Sequence, residues 1–249
     1  MNNIKAIFMK QMASLIKHPV LIINGIIFLV LAGVFMFFLS PDEEKDCHIC
    51  VPAYVCAVCQ EEEDNRFQLP LPSQVGMFAV IFVGLGLMGS ASAQVNEDKT
   101  TTNLRFMAMA EMRPYQYMLG TVAAMIIVVA VMLVPYALLG GYLGERFLWF
   151  MVVGLLGGLS SILFGMVVGL SKVPILATPI SIVLGLGPTF SSFNETIANL
   201  LRFTFIQQVN IAFSDLEADL SSNILIISAN LGVFLLVFMF MHRKNRFNV

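Results

Sequence analysis

A chain of 249 residues that is 58% hydrophobic and 12% charged, with net charge −2 and mean hydropathy +0.84, carries more apolar side chain than a soluble domain of this size can bury. These figures exclude a water-soluble globular class and imply an integral membrane protein whose first partner is the lipid bilayer. No nucleic acid partner is expected.

Apolar runs occur at Val20–Leu39, Val75–Val95, Tyr115–Leu138, Phe147–Leu170, Val173–Phe190 and Asn223–Met241. Each is near the roughly 20 residues a helix needs to cross about 30 Å of hydrocarbon, so six spans are expected in one all-α domain, 1–249. With both termini cytoplasmic, ten of the fourteen Lys and Arg fall inside and thirteen of the sixteen Asp and Glu fall outside. That is the positive-inside pattern, and it predicts a multi-pass protein of the cell membrane. The first run lacks a small-residue cleavage pattern, so no signal peptide is expected to be removed.

Residues 1–18 place Ile4, Ile7, Phe8, Met12, Leu15 and Ile16 at helical spacing, with Lys5, Lys10, Ser14 and Lys17 on the remaining surface. This predicts an interfacial helix with its lysines at the headgroups, or else a basic flank that only sets topology. Pro19 separates it from the first span.

The external loop 40–72 holds all four cysteines, Cys47, Cys50, Cys56 and Cys59, between the acidic runs Asp42–Asp46 and Glu61–Asp64. The oxidising side of the membrane favours two disulfides, and four thiols allow three connectivities. Pairing Cys47 with Cys59 and Cys50 with Cys56 would draw a hairpin around Val51–Val55. A four-thiolate zinc site, with His48 spare, and redox exchange through CxxC remain the lesser alternatives.

Span two ends in Gly84, Gly86, Gly89, Ser90, Ala91 and Ser92, which permit close helix approach. The polar stretch 96–113 follows on the cytoplasmic side. Thr100, Thr101 and Thr102 offer N-cap hydroxyls, and Leu104, Met107 and Phe106 or Ala110 fall on one side of a short helix that Pro114 ends. Span three contains Pro135 and a tight external turn, Gly140–Arg146, follows. In span four, Gly154, Gly158, Gly165 and Gly169 form a small-residue face read as packing within the subunit. Ser171 and Lys172 make the second cytoplasmic loop. Pro174 and Pro179 bend span five, and Gly185, Gly187 and Pro188 end it.

Segment 188–222 is external yet too apolar for a free loop. Ser192 and Glu195 have capping-box spacing, so a helix should start near Phe193 and run through Ile197, Leu200 and Leu201. The sequon at Asn194 is read as chance. His242–Arg246 is a positive stop-transfer flank.

The chain has no chemistry of its own. None of the thirty charged residues falls within an apolar run, which argues against an ion-coupled carrier. None of the seven lysines follows a glycine as a phosphate-gripping loop requires, and HExxH and GxSxG are absent. No catalytic residue and no cofactor is assigned to this chain. A protein without a relay or a nucleotide site borrows energy from a soluble partner.

These features resemble the permease subunits of type 2 ABC transporters, in which an interfacial N-terminal helix, six spans and a cytoplasmic helix between spans two and three recur. In the family's cytoplasmic stretch, Glu97 stands at the Glu, Thr102 at the Thr, and Phe106 and Met107 at the paired Leu. Thr101 replaces the Gly, Ala110 the Pro, and Pro114 arrives later.

The resemblance implies two permeases, identical or homologous, each bound to one ABC ATPase that holds ATP and Mg. Contact with the ATPase would fall on Glu97, Asp98, Thr102, Leu104, Arg105, Phe106, Met107 and Ala110. It also implies short re-entrant helices within 188–222, roofing the pathway with Phe190, Phe193, Leu200, Phe203, Phe205 and Phe213. The cargo would be hydrophobic or amphipathic, first of all an amphipathic peptide moved out of the cytoplasm. The rival is a membrane thiol-disulfide oxidoreductase passing electrons from the CxxC pairs to a quinone.

Overall fold

The computed structural model describes residues 2–17, 19–39, 71–101, 113–171, 177–191, 195–214 and 220–246. Among them every regular element is helical: α1 (Asn2–Lys17), α2 (Val20–Leu39), α3 (Leu71–Ile81), a π-helical turn (Phe82–Gly86), α4 (Leu87–Thr100), α5 (Pro114–Leu139), α6 (Glu145–Leu170), α7 (Ala177–Ser191), α8 (Glu195–Leu201), α9 (Phe205–Ser214) and α10 (Leu220–Arg246).

Among the described residues five helical stretches are long and apolar enough to cross a membrane: Val20–Phe37, Gln74–Thr100, Pro114–Leu139, Glu145–Leu170 and Leu220–His242. The expected fifth span is represented by α7, whose 15 residues fall short of the length a straight crossing needs. Pro188 does not end it. The helix continues to Ser191, where the Ser191 hydroxyl donates to the Pro188 carbonyl at 2.6 Å and Asn210 Nδ2 donates to the same oxygen at 3.3 Å.

The axis of the bundle is the stretch Gln74–Thr100, whose apolar 18-residue window is 78% buried, against 17% for that of Val20–Phe37 and 11% for that of Leu220–His242. Small residues put it there. A Cβ on Gly165 of α6 would stand 2.4 Å from the Met88 carbonyl oxygen, and one on Gly169 would stand 2.8 Å from that of Ser92. The glycine face of α6 is therefore spent inside the chain: Gly165 and Gly169 meet the backbone of α4, while Gly154 and Gly158 admit the Leu133 and Val129 side chains of α5. At Gly84, within the π turn, a Cβ would meet Gly185 Cα of α7 at 2.8 Å and Ile206 Cδ1 of α9 at 2.9 Å. One extra residue in the turn thus coincides with a close three-helix crossing.

The two ends of the bundle are built differently. At one end, Gly141 and Gly144 take positive φ, a conformation that side chains resist, and reverse the chain between α5 and α6. Inside that turn Tyr142 stacks on Phe150 at 4.7 Å, and Phe150 stacks on Phe213 at 4.2 Å. The Tyr142 hydroxyl also donates to the Phe213 carbonyl at 2.9 Å, which ties α9 to the turn. Burial pushes the Tyr142 hydroxyl up to about 12. At the opposite end, α1 folds back onto α4 and α5.

Candidate coupling site

Helix α1 has the predicted amphipathic character, but its inward face is not wholly apolar. Ile7, Gln11 and Leu15, four apart, are all buried. Glycine at position 120 of α5 admits this face, since a Cβ there would stand 2.7 Å from Ile7 Cγ2. Gln11 then lies against α4. Its Nε2 donates to Asp98 Oδ2 at 3.0 Å, and its Oε1 accepts from Gln94 Nε2. Lys10, one residue earlier, brings its ammonium to 2.6 Å from Asp98 Oδ1. It serves as a partner to Asp98 as well as a surface charge.

Asp98 is itself only 4% exposed. Sequence reasoning puts it in a polar segment beginning at Asn96. Helix α4 instead runs unbroken to Thr100, because nothing from Gln94 onward interrupts it and the partners of Asp98 satisfy a carboxylate that would otherwise be costly to bury. The third partner is Tyr117 on the first turns of α5, whose hydroxyl donates to Asp98 Oδ2 at 2.9 Å. The Tyr117 ring meets that of His242 on α10 at 6.4 Å, and His242 rests against Phe238 at 5.8 Å. Four elements, α1, α4, α5 and α10, converge on this cluster.

The helix ends beside it are fixed locally. Thr100 and Thr101 hydroxyls donate to the Glu97 carbonyl at 3.0 and 2.7 Å, so both finish α4; the expectation had them open a following helix. Glu97 is exposed. Lys99 Nζ donates to the Ser171 carbonyl at 2.9 Å, joining α4 to the end of α6. On the other side Arg113 N donates to Gln116 Oε1 at 3.1 Å, and Pro114, lacking an N–H, takes the first helical position.

Thr102, Leu104, Arg105, Phe106, Met107 and Ala110 lie outside the described residues, as do Cys47, Cys50, Cys56 and Cys59. Both roots of the segment 102–112 are nevertheless described, and the hydrogen bond from Tyr117 to Asp98 joins them.

The residues predicted to roof a pathway differ in burial. Phe205 and Phe213 are buried, at 2% and 1% exposure, whereas Phe190, Leu200 and Phe203 are exposed at 55%, 80% and 73%. Phe193 lies outside the described residues. Polar groups on α9 support the buried pair: the Gln207 side-chain amide lies 2.9 Å from the Ser191 hydroxyl oxygen, and Gln208 Nε2 donates to the Arg202 carbonyl.

Among the described residues no group of His, Cys, Asp and Glu could hold a metal ion. The cluster at Asp98 can clamp helices α1, α4 and α5 together. No family model, curated protein or solved structure matches this chain.

Proposed function

We propose that this chain is the permease subunit of an ATP-driven exporter of the type 2 ABC kind, with both ends cytoplasmic and a separate ATPase docked on segment 96–113. The observation that carries this reading is the clamp at Asp98. It grips α1 through Lys10 and Gln11 and α5 through Tyr117, at the two roots of the segment on which a partner would push.

Two permeases, identical or homologous, each take one ATPase in this scheme, and ATP and Mg reside on the ATPase. Closure of the ATPase pair displaces segment 102–112. Because Asp98 and Tyr117 are bonded to one another, that displacement reaches α4 and α5 together and carries α1 with it. Along α4 it arrives at the π turn, where Gly84 lies against Gly185 of α7 and Ile206 of α9. Helices α7, α8 and α9 then act as the re-entrant roof, which opens toward the exterior for a hydrophobic or amphipathic cargo.

The test is isolation of the chain from its native membrane under mild conditions, followed by Phe106→Asp and Met107→Asp. A nucleotide-binding subunit should accompany the unaltered chain and be lost from the double variant while the unfolding midpoint is unchanged. Solute accumulation against a gradient by the chain alone in liposomes would end the proposal.

A further inference from the structure

The turn between α8 and α9 places a cation halfway along the bundle. Asn230 Nδ2 donates to the Phe203 carbonyl at 3.0 Å, and Asn230 lies ten positions beyond Leu220, where α10 begins. At 1.5 Å per residue that is about 15 Å along the helix, half of the roughly 30 Å of hydrocarbon that α10 is long enough to cross. Two other contacts put the turn at the same level. Phe205 meets Phe234 of α10 edge-on at 5.7 Å, and Ile206 sits at Gly84, near the middle of the stretch Leu71–Thr100. Sequence reasoning counts Arg202 among external loop charges, but these contacts carry it to mid-depth.

The turn is held in place. Thr204 returns both its N–H and its hydroxyl to the Leu201 carbonyl, at 2.8 and 2.7 Å, while Gln208 and Asn230 take the Arg202 and Phe203 carbonyls. Arg202 is therefore presented from a fixed backbone. It is exposed, and so are Leu200 and Phe203 beside it. Among the described residues its guanidinium has no carboxylate partner.

Lipid tails suit Leu200 and Phe203 but not a guanidinium, which is costly to leave unpaired at this depth. Water suits the guanidinium but not two large apolar side chains. An amphiphile with a negatively charged head satisfies both. We propose that Leu200, Arg202 and Phe203 bind an amphiphile bearing a carboxylate or phosphate, with the planar guanidinium taking the head through paired hydrogen bonds and the two apolar side chains taking its tail. The inference rests on the exporter reading and deepens it by naming the class of cargo.

The test uses the full chain in phosphatidylcholine nanodiscs and a long-chain fatty acid with a photoreactive diazirine on its tail, compared with the fatty alcohol of the same tail. The acid should label the peptide containing residues 200–205, the alcohol much less. Arg202→Gln should cut labelling by the acid about tenfold, the loss expected for one charge-assisted pair, and Arg202→Lys should restore part of it.

Competition by added phosphatidylglycerol would identify membrane lipid as the source of the head group; no competition would identify a free amphiphile. Both support the site. Equal labelling by acid and alcohol, labelling unchanged in Arg202→Gln, or protection of Arg202 by a second copy of the chain would overturn it. If Arg202→Gln fails to fold, the acid-to-alcohol ratio on the unaltered chain decides. Recovery of the ATPase reads the exporter proposal separately: a lost label with the ATPase retained sinks only the cargo class.

Discussion

The Lys10 ammonium lies 2.6 Å from Asp98 Oδ1, although 88 positions separate the two residues. Asp98 is the buried member and Lys10 the half-exposed one, with side-chain exposures of 6% and 42%. The two deletions should therefore be unequal. Asp98→Ala strands the Gln11 amide and the Tyr117 hydroxyl in a buried site and should cost about 3 kcal/mol. Lys10→Met returns part of the carboxylate's demand to water and Gln11 and should cost roughly 1 kcal/mol. Unfolding midpoints in detergent micelles distinguish the two, and equal losses would mean that the carboxylate is not the hub.

Backbone contact between α4 and α6 makes a prediction with a built-in control. A methyl at Gly165 collides with the Met88 carbonyl and the Ala91 Cβ, at 2.4 and 2.9 Å, where neither helix can yield without moving the other. Gly165→Ala should destabilise by roughly 1–3 kcal/mol. Gly89, on α4 itself, has nothing within 4 Å of its Cβ position. Gly89→Ala should be neutral or stabilising by up to about 1 kcal/mol, from helix propensity alone. Thermal midpoints of the two variants should move apart; movement in the same direction would refute the packing argument.

Much of this bundle is written in its composition and spacing. The apolar runs, the tight turn at Gly140–Arg146, the amphipathic first helix and the glycine face of α6 follow from residue type and period. Partners across the chain are not written that way. Gln94 and Asp98, four apart on one helix face, signal a polar stripe, and Gln11 interrupts an apolar one between Ile7 and Leu15. Only the fold brings those stripes together with Tyr117 and His242. The end of α7 departs from expectation for a similar reason: Pro188 is a local stop signal, but Asn210, from α9, reaches its carbonyl.

Tyr142 links stability to pH. Its hydroxyl donates to the Phe213 carbonyl at 2.9 Å, and burial pushes its pKa from the ordinary tyrosine value near 10 up to about 12. An acid whose pKa is raised by folding contributes stability that is complete below pH 10. That contribution is lost as pH climbs through 10 toward 12, because the unfolded chain releases the proton first. Tyr142→Phe should cost roughly 1 kcal/mol at neutral pH and lack this alkaline decline. Unfolding midpoints at pH 8 and pH 11 should therefore converge for the two proteins at the higher value.

The four cysteines in 40–72 discriminate between an exporter and an oxidoreductase, and their chemistry can be read directly. Two disulfides predict that no thiol is alkylated in the purified chain until a reductant is added, after which all four are. A zinc site predicts that a chelator alone suffices. If the bridges only staple the loop, replacing all four by Ser should lower stability by roughly 2–4 kcal/mol per bridge at most and leave ATP-dependent export and recovery of the ATPase intact. A redox role predicts the reverse, with electron transfer abolished in a chain that still folds. The staple is the expectation, because the positive-inside pattern assigns this loop to the oxidising side of the membrane.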